Sequence, residues 1–326
     1  MTGGLYKQEF EDLCSTKLVS QDDIRAQELV KSSITYTEGH HTIGLPWRCS
    51  LEMLPNNRKL AMVRLKCLRN KLLKDPTLLS KYQEVMNNYI RSGYASKICP
   101  GNVGRVGEPR WYLPHYAVIN PRKPEKIRVV FDCAAEYLGW SSNKCLLSGP
   151  NMVSDLVAVL LRFRENYIGI VADIKEMFLQ VRVPEKDRSL SRFLWWNDNN
   201  LGAIPDEFQL NVHLFGATSS PFCANFALRR TAEDFCSDHS IQRVIDENFY
   251  VDDCLVSVDD INEARRLVSG LAETLNKGGF QLTKWVSNDS SALSNMHKSD
   301  CISGMTDLDQ KHNESTDLRF NVGLLV

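Results

Sequence analysis

Three carboxylates hold the chemistry that this sequence offers. Asp252 and Asp253 are adjacent in Phe249-Tyr250-Val251-Asp252-Asp253-Cys254-Leu255-Val256, and Asp173 stands near the end of the apolar run Tyr167-Ile168-Gly169-Ile170-Val171-Ala172-Asp173-Ile174. Ionised carboxylates beside a core are costly unless paired or bound to metal. An acidic turn is the ordinary reading of any one Asp pair, and Asp22-Asp23 and Asp259-Asp260 are read that way. Asp252-Asp253 differs in its company: Asp173 upstream, and between them the block Phe215-Gly216-Ala217-Thr218-Ser219-Ser220-Pro221-Phe222. Carboxylates converging from two strands form a hard-oxygen site suited to Mg²⁺, with water and substrate phosphates completing the octahedron. Two such ions about 3.5–4 Å apart can activate an attacking hydroxyl and stabilise the leaving oxygen of a phosphoryl transfer. Mn²⁺ is the natural substitute. In this reading Asp173 bridges both ions, Asp252 is the second ligand, and the Ile174 carbonyl can add a backbone oxygen. Asp253 points the other way if the strand is regular, although a turn can relax that.

Elements must bring these groups together. Val244, Ile245, Phe249, Tyr250 and Val251 on one side, and Cys254 to Val258 on the other, read as the strands of a tight hairpin tipped by the Asp pair. Strand 167–174, a helix from Ser219 or Ser220 with Pro221 at its first position, the 244–258 hairpin, a helix from Asp260 ended by Gly278-Gly279, and strand 280–286 form the split βαβ pattern. That pattern lays strand 167–174 beside the hairpin. Upstream, helical spacing runs from Arg58 to Lys74 with Leu60, Val63, Cys67 and Leu68 inward. Asp75-Pro76 then opens a helix burying Leu79, Tyr82, Met86 and Ile90. Residues 111–119 read as strand, Asn151 to Arg164 as a helix with Val153, Leu156, Val157 and Leu160 inward, and Gln180 to Trp196 as an extended arm. Lys126 and Arg128 fall on one face of an alternating strand, where two cations either clamp a polyphosphate or decorate a solvated edge.

Composition sets the bounds. The chain has 326 residues, 43 % hydrophobic and 24 % charged, ordinary for a soluble globular protein. No apolar run of about 18 residues appears, so no membrane helix is expected, and Met1 to Glu9 lack a signal-peptide core. Ten cysteines without a Cys-x-x-Cys pair point to reduced thiols and an intracellular, cytoplasmic setting. Net charge is −1, yet between Leu54 and Arg128 sixteen Lys and Arg stand against four acids, a local excess of +12. A basic segment joined to an acidic one fits a phosphate-binding surface beside a metal site, although solvated helix faces account for part of it.

Taken jointly, several stretches resemble a known family. They are Gly44-Leu45-Pro46-Trp47, Leu54-Pro55-Asn56-Asn57-Arg58, Trp111-Tyr112-Leu113-Pro114-His115, Val129-Val130-Phe131-Asp132, Leu146-Leu147-Ser148-Gly149-Pro150, Ala172-Asp173-Ile174-Lys175-Glu176-Met177-Phe178, Phe215 to Pro221, Tyr250-Val251-Asp252-Asp253 and Gly279-Phe280-Gln281-Leu282-Thr283-Lys284-Trp285. Over about residues 20–290 the chain resembles the reverse transcriptase region of BEL/Pao-type LTR retrotransposon polyproteins. The resemblance implies a right-hand polymerase with basic fingers and a palm built on a ferredoxin-like antiparallel sheet with packed helices. It implies Asp173, Asp252 and Asp253 as metal ligands. Phe178 would be the aromatic gate that excludes a 2′-hydroxyl, and Lys126 and Arg128 the finger cations on the triphosphate. Phe215 and Gly216 match the segment touching nucleotide and template. Tyr250 and Val251 are the first two positions of the Tyr-x-Asp-Asp box, and Lys284 is a proton donor to pyrophosphate. Primer–template nucleic acid and dNTPs are the implied partners, in a virus-like particle where the element is intact.

The same resemblance would bring a protease, a thumb, an RNase H and an integrase. No Asp-Thr/Ser-Gly protease signature occurs, and the polar stretch after Asn288 is short for a thumb. The expected layout is therefore a polar segment (1–50), a basic helical region with fingers (51–165), a palm (166–288) and a flexible polar tail (289–326), with the thumb largely missing. A truncated, catalytically weak or inactive relic that only binds nucleic acid is the competing expectation. A two-metal nuclease is a third, but it leaves the Phe178 and Pro221 blocks unexplained.

Overall fold

A computed structural model describes residues 20–99, 108–121, 123–197 and 200–302. The Met1–Glu9 start, Arg105, Arg122 and the Phe320–Val326 end lie outside the described residues. The chain is α+β. In order it forms α1 (Gln21–Ser33), β1 (Thr35–Thr37), β2 (His40–Thr42), α2 (Arg58–Lys74), α3 (Pro76–Arg91), β3 (Ala95–Lys97), β4 (His115–Asn120), β5 (Lys123–Phe131) and α4 (Leu156–Phe163). Then come β6 (Ile168–Ile174), β7 (Arg192–Trp195), β8 (Asp206–Leu210), α5 (Ser220–Phe235), α6 (His239–Glu247), β9 (Phe249–Tyr250), β10 (Asp253–Val258), α7 (Ile261–Lys277) and β11 (Leu282–Ser287). No helix among the described residues is long and apolar enough to cross a membrane. The nine cysteines within them are free thiols.

Two compact units are built from alternating pieces of chain. The first comprises Met1–Val153, Glu176–Ser237 and Thr274–Phe280. Its core gathers Tyr82, Met86, Trp111, Tyr112, Phe193, Trp195 and Phe208, around the antiparallel sheet β3-β8-β7. His115 is buried there. Its Nε2 lies 3.0 Å from the Leu194 carbonyl, which can only accept, so Nδ1 receives the Tyr82 hydroxyl at 2.6 Å. That arrangement requires a neutral ring, and burial pushes its pKa down to about 4. His213, bonded through Nε2 to the Ile43 carbonyl at 3.0 Å, is pushed down to about 4 by burial as well.

Several expectations need correction here. Helix α2 buries Ala61, Leu65, Leu68 and Leu72, while Val63 and Cys67 face solvent; the buried face is turned from the one expected. Residues 111–113 are buried but not a strand. Tyr112 makes only an isolated bridge to Arg192, and β4 begins at His115. The arm 180–196 contains a helical turn, Glu185–Arg188, and then β7, which pairs with β8. Within the segment 20–50, Ser20 caps α1 and accepts from the Asp23 amide, so Asp22-Asp23 form an acidic first helical turn, not a loop.

The second unit comprises Ser154–Lys175, Asp238–Glu273 and Gln281–Val326. Its sheet runs β11-β6-β10-β9, every pair antiparallel. Numbered by chain order this is 4-1-3-2, with two helices, α5 and α6, in the chain between the first strand and the second, and α7 between the third and the fourth; this is the order of the split βαβ pattern. Val159 and Phe163 of α4 pack on Leu255 of β10. Asp155 caps α4 by accepting from the Ala158 amide. The helix therefore starts five residues later than expected, and Val157 is 64 % exposed. Val244 and Ile245 belong to α6, not to a hairpin strand: Asp238 caps that helix and Asn248 ends it, leaving β9 two residues long. Asn248 then ties the hairpin base, exchanging backbone and side-chain bonds with Leu255 at 3.0 and 2.9 Å. Residues 289–302 are ordered against the sheet, contrary to a flexible tail. Ala292 is buried, Cys301 bridges Trp285, and the Ile302 amide donates to the Trp285 carbonyl at 3.1 Å.

Candidate active site

The second unit brings three of the expected carboxylates to one end of its sheet. Tyr250 and Asp253 close the β9–β10 hairpin as a cross-strand pair, so Val251 and Asp252 form a two-residue loop. Val251 takes φ +57°, a conformation that β-branched residues rarely adopt. The loop makes Asp253 the first residue of β10, directly opposite Asp173 on β6. Residues directly opposite in an antiparallel pair share a face. Asp253 is thus the carboxylate facing Asp173, while Asp252 occupies the turn, its carbonyl accepting the Ile174 amide at 2.8 Å. Ile174 is itself buried and stands opposite Leu282 of β11.

Burial and charge repulsion both act on Asp253. Burial first, then the negative charges of Asp252 and Asp173, push its pKa up to about 6, while Lys284 pulls it down. Lys284 arrives from the other side of β6. The β11–β6 register shifts between Thr283 and Val286, and Lys284 sits in that bulge at φ +55°. Its ammonium lies 2.8 Å from Asp173 Oδ2. The side chain is 61 % exposed against 21 % for Asp173. Two non-glycine residues in left-handed conformations therefore flank the carboxylates. Strain of this kind is kept where the surroundings over-determine it, and is a mark of functional sites.

Among the described residues no three His, Cys, Asp or Glu side chains form a ready-made metal cage. The donor chemistry nevertheless suits a hard cation: only carboxylate oxygens, two facing across adjacent strands and a third in the connecting turn, mutually repelling.

The remaining expected residues lie in the first unit, apart from Tyr250 and Val251. Phe178 is half-buried in a 3₁₀ turn, Met177–Gln180, with its ring centroid 5.9 Å from that of Phe215. Phe215 is largely exposed, and Gly216 takes φ +103°. Asn143 holds this loop at both ends: its amide donates to the Gly216 carbonyl at 3.1 Å and its oxygen accepts from the Thr218 amide at 3.0 Å. Nothing in the sequence singled out Asn143. Gly149 (φ +73°) packs against the Phe222 ring so closely that an added Cβ would stand 2.3 Å from it. This contact joins two of the sequence blocks. Lys126 and Arg128 are exposed on β5, and neither forms an ion pair among the described residues. Other basic residues are engaged structurally: Arg58 binds Glu207 at 2.8 Å and Arg64 reaches Asp132 at 3.4 Å. Lys59, Lys66, Lys71 and Lys74 of α2 face solvent.

No family model and no curated protein matches the chain. Among solved structures, it is similar to a foamy viral protease-reverse transcriptase in complex with double-stranded DNA, at 15 % identity and TM-score 0.47. That match covers 62 % of this chain and 30 % of that one. It is also similar to the foamy viral protease-reverse transcriptase in complex with an RNA/DNA hybrid, at 14 % identity and TM-score 0.44, over 62 % of this chain and 22 % of that one. The matched part is less than a third of either protein's length.

Proposed function

We propose that this chain is an RNA-directed DNA polymerase domain of retrotransposon type, adding dNTPs to a primer on a nucleic-acid template. The observation that carries the reading is the register pairing of Asp173 with Asp253, with Asp252 in the tight turn beside them. It supports a Tyr-x-Asp-Asp box working with a separate upstream aspartate, and the BEL/Pao-like sequence blocks support the polymerase class. Asp173, Asp252 and Asp253 would hold Mg²⁺ or Mn²⁺, with the Ile174 carbonyl as a further oxygen. Bound there, the ions would supply charge stabilisation to the transferring phosphoryl group.

The chain's own residues do the rest. A bound cation would favour the Asp253 anion, offsetting the burial and the Asp252 and Asp173 charges that raise its pKa. Tyr250 and Val251 fix the turn that presents Asp252. Lys284 protonates the departing pyrophosphate. On the first unit, Lys126 and Arg128 take the triphosphate, Phe215 and Gly216 line nucleotide and template, and Phe178 rejects a 2′-hydroxyl by filling its place. The exposed lysines of α2 contribute sequence-independent attraction to phosphates.

Primer extension on poly(rA)–oligo(dT) with Mg²⁺ or Mn²⁺ tests the reading, with Asp252→Asn as control. Extension that disappears in the control is the expected result. No extension together with retained hybrid binding would instead make the chain a nucleic-acid-binding relic.

A further inference from the structure

One side chain of the first unit reaches both ends of the turn that carries Phe178. The Tyr94 hydroxyl donates to Glu176 Oε2 at 2.9 Å and accepts from Gln180 Nε2 at 3.3 Å. Glu176 precedes Phe178 by two residues and Gln180 follows it by two. The same Gln180 amide approaches the Glu176 carbonyl at 3.4 Å, closing a ring of polar contacts around the turn. Glu176 is the N-terminal cap of the turn and adopts a left-handed conformation, φ 52° and ψ 44°. A non-glycine residue holds that conformation only when its surroundings compensate, and the Tyr94 contact is the compensation its side chain has. Tyr94 is anchored in turn. Its ring packs edge-on to Tyr89, with centroids 5.9 Å apart, and its carbonyl accepts the Asn211 amide at 2.8 Å. Burial and the Glu176 charge keep the phenol protonated by raising its pKa, opposed by the Gln180 bond. It therefore stays a donor throughout the neutral range.

We infer that Tyr94 is a positioning residue for sugar selection: by clamping Glu176 and Gln180 it fixes the turn that aims the Phe178 ring. The inference rests on the polymerase reading, with Phe178 as the selecting side chain. A gate discriminates only as well as it is held, because a ring free to move by about 1 Å no longer excludes one extra hydroxyl. The hydroxyl of Tyr94 touches no nucleotide in this scheme, so its removal alters discrimination and not the chemistry of dNTP addition.

Tyr94→Phe removes only the clamp and keeps the ring against Tyr89. The experiment measures single-nucleotide extension by the full chain with dTTP and UTP on poly(rA)–oligo(dT), for wild type, Tyr94→Phe, Phe178→Val and Glu176→Gln. Expected are a fall of about tenfold in the preference for dTTP with Tyr94→Phe, through a lower KM for UTP, and an unchanged kcat for dTTP. Glu176→Gln, whose amide oxygen still accepts from Tyr94, keeps the wild-type preference. Tyr94→Phe combined with Phe178→Val adds nothing to Phe178→Val alone. If Phe178→Val relaxes selection and Tyr94→Phe does not, the clamp is overturned and the polymerase reading stands. If Tyr94→Phe slows both nucleotides equally, its role is structural and the clamp is again overturned. A wild type that does not extend would overturn the polymerase reading and the clamp with it.

Discussion

Burial and the charges of Asp252 and Asp173 act together on Asp253, and Lys284 opposes them. Its raised pKa, about 6, records first its burial and then the two carboxylates gathered beside it at one end of a sheet. Asp252→Asn is expected to abolish extension while leaving the denaturation midpoint nearly unchanged, because the side chain stands in a turn and not in the core; a variant that still extends would remove Asp252 from the metal set. Lys284 is the resident counter-charge on Asp173. As an exposed ion pair it is worth up to about 1 kcal/mol, so Lys284→Met should tighten Mg²⁺ binding by about fivefold in calorimetric titration, and equal affinity would show that the ammonium does not compete. Asp173 and the Asp pair were legible in the sequence because each sits against an apolar run. Which of the pair faces Asp173 was not legible. Regular alternation favoured Asp252, but the two-residue loop at Val251 makes Asp253 the first strand residue. Tyr94 was invisible because its partner Glu176 lies 82 positions away in the chain.

At the scale of elements, the turn and the bulge decide where side chains are aimed. Val251 holds a left-handed conformation costly to a β-branched residue. Val251→Gly should therefore raise stability to urea by about 1 kcal/mol and lower extension, since a glycine turn holds Asp252 less firmly. A midpoint at or below wild type would show that no strain is stored there. Gly149 tests the opposite case. Gly149→Ala would drive a methyl into the Phe222 ring at a positive φ, and a loss of about 2 kcal/mol or more in the same measurement is expected. Elements with strong punctuation were legible: Asp75-Pro76 opens α3, Pro221 stands in the first turn of α5, and Gly278-Gly279 follow α7. Elements fixed by tertiary contact were not. Val244 and Ile245 read as strand because they precede Phe249 and Tyr250, yet the Asp238 cap commits them to a helix. Strand β7 was hidden because its residues are all buried and show no alternation.

For the whole molecule, stability should depend on pH through two histidines of the first unit. His115 and His213 are buried neutral, with pKa values lowered to about 4, against about 6.5 in an unfolded chain. The unfolded state therefore binds more protons between these values. The contribution of each ring, up to about 3 kcal/mol, is complete above pH 6.5 and is lost as pH falls toward 4. Urea midpoints measured from pH 7 to 4.5 should drop steeply, and His213→Gln should flatten the curve; an unaltered slope would mean that another group carries the dependence. The order of strands in the second unit has a further consequence, for synthesis. Strand β6 is the inner strand flanked by β10 and β11, yet it is made first, and its Asp173 pairs with residues 80 and 110 positions later. At a ribosomal pace of about 5–20 residues per second, β6 waits on the order of 5–20 s before both neighbours exist. Until Val258 is made the nascent chain displays Ile168-Gly169-Ile170-Val171-Ala172 with both hydrogen-bonding edges unpaired, and one edge stays open until β11 follows, so this domain should emerge as a client of chaperones, and its yield should depend on how quickly translation reaches Ser287.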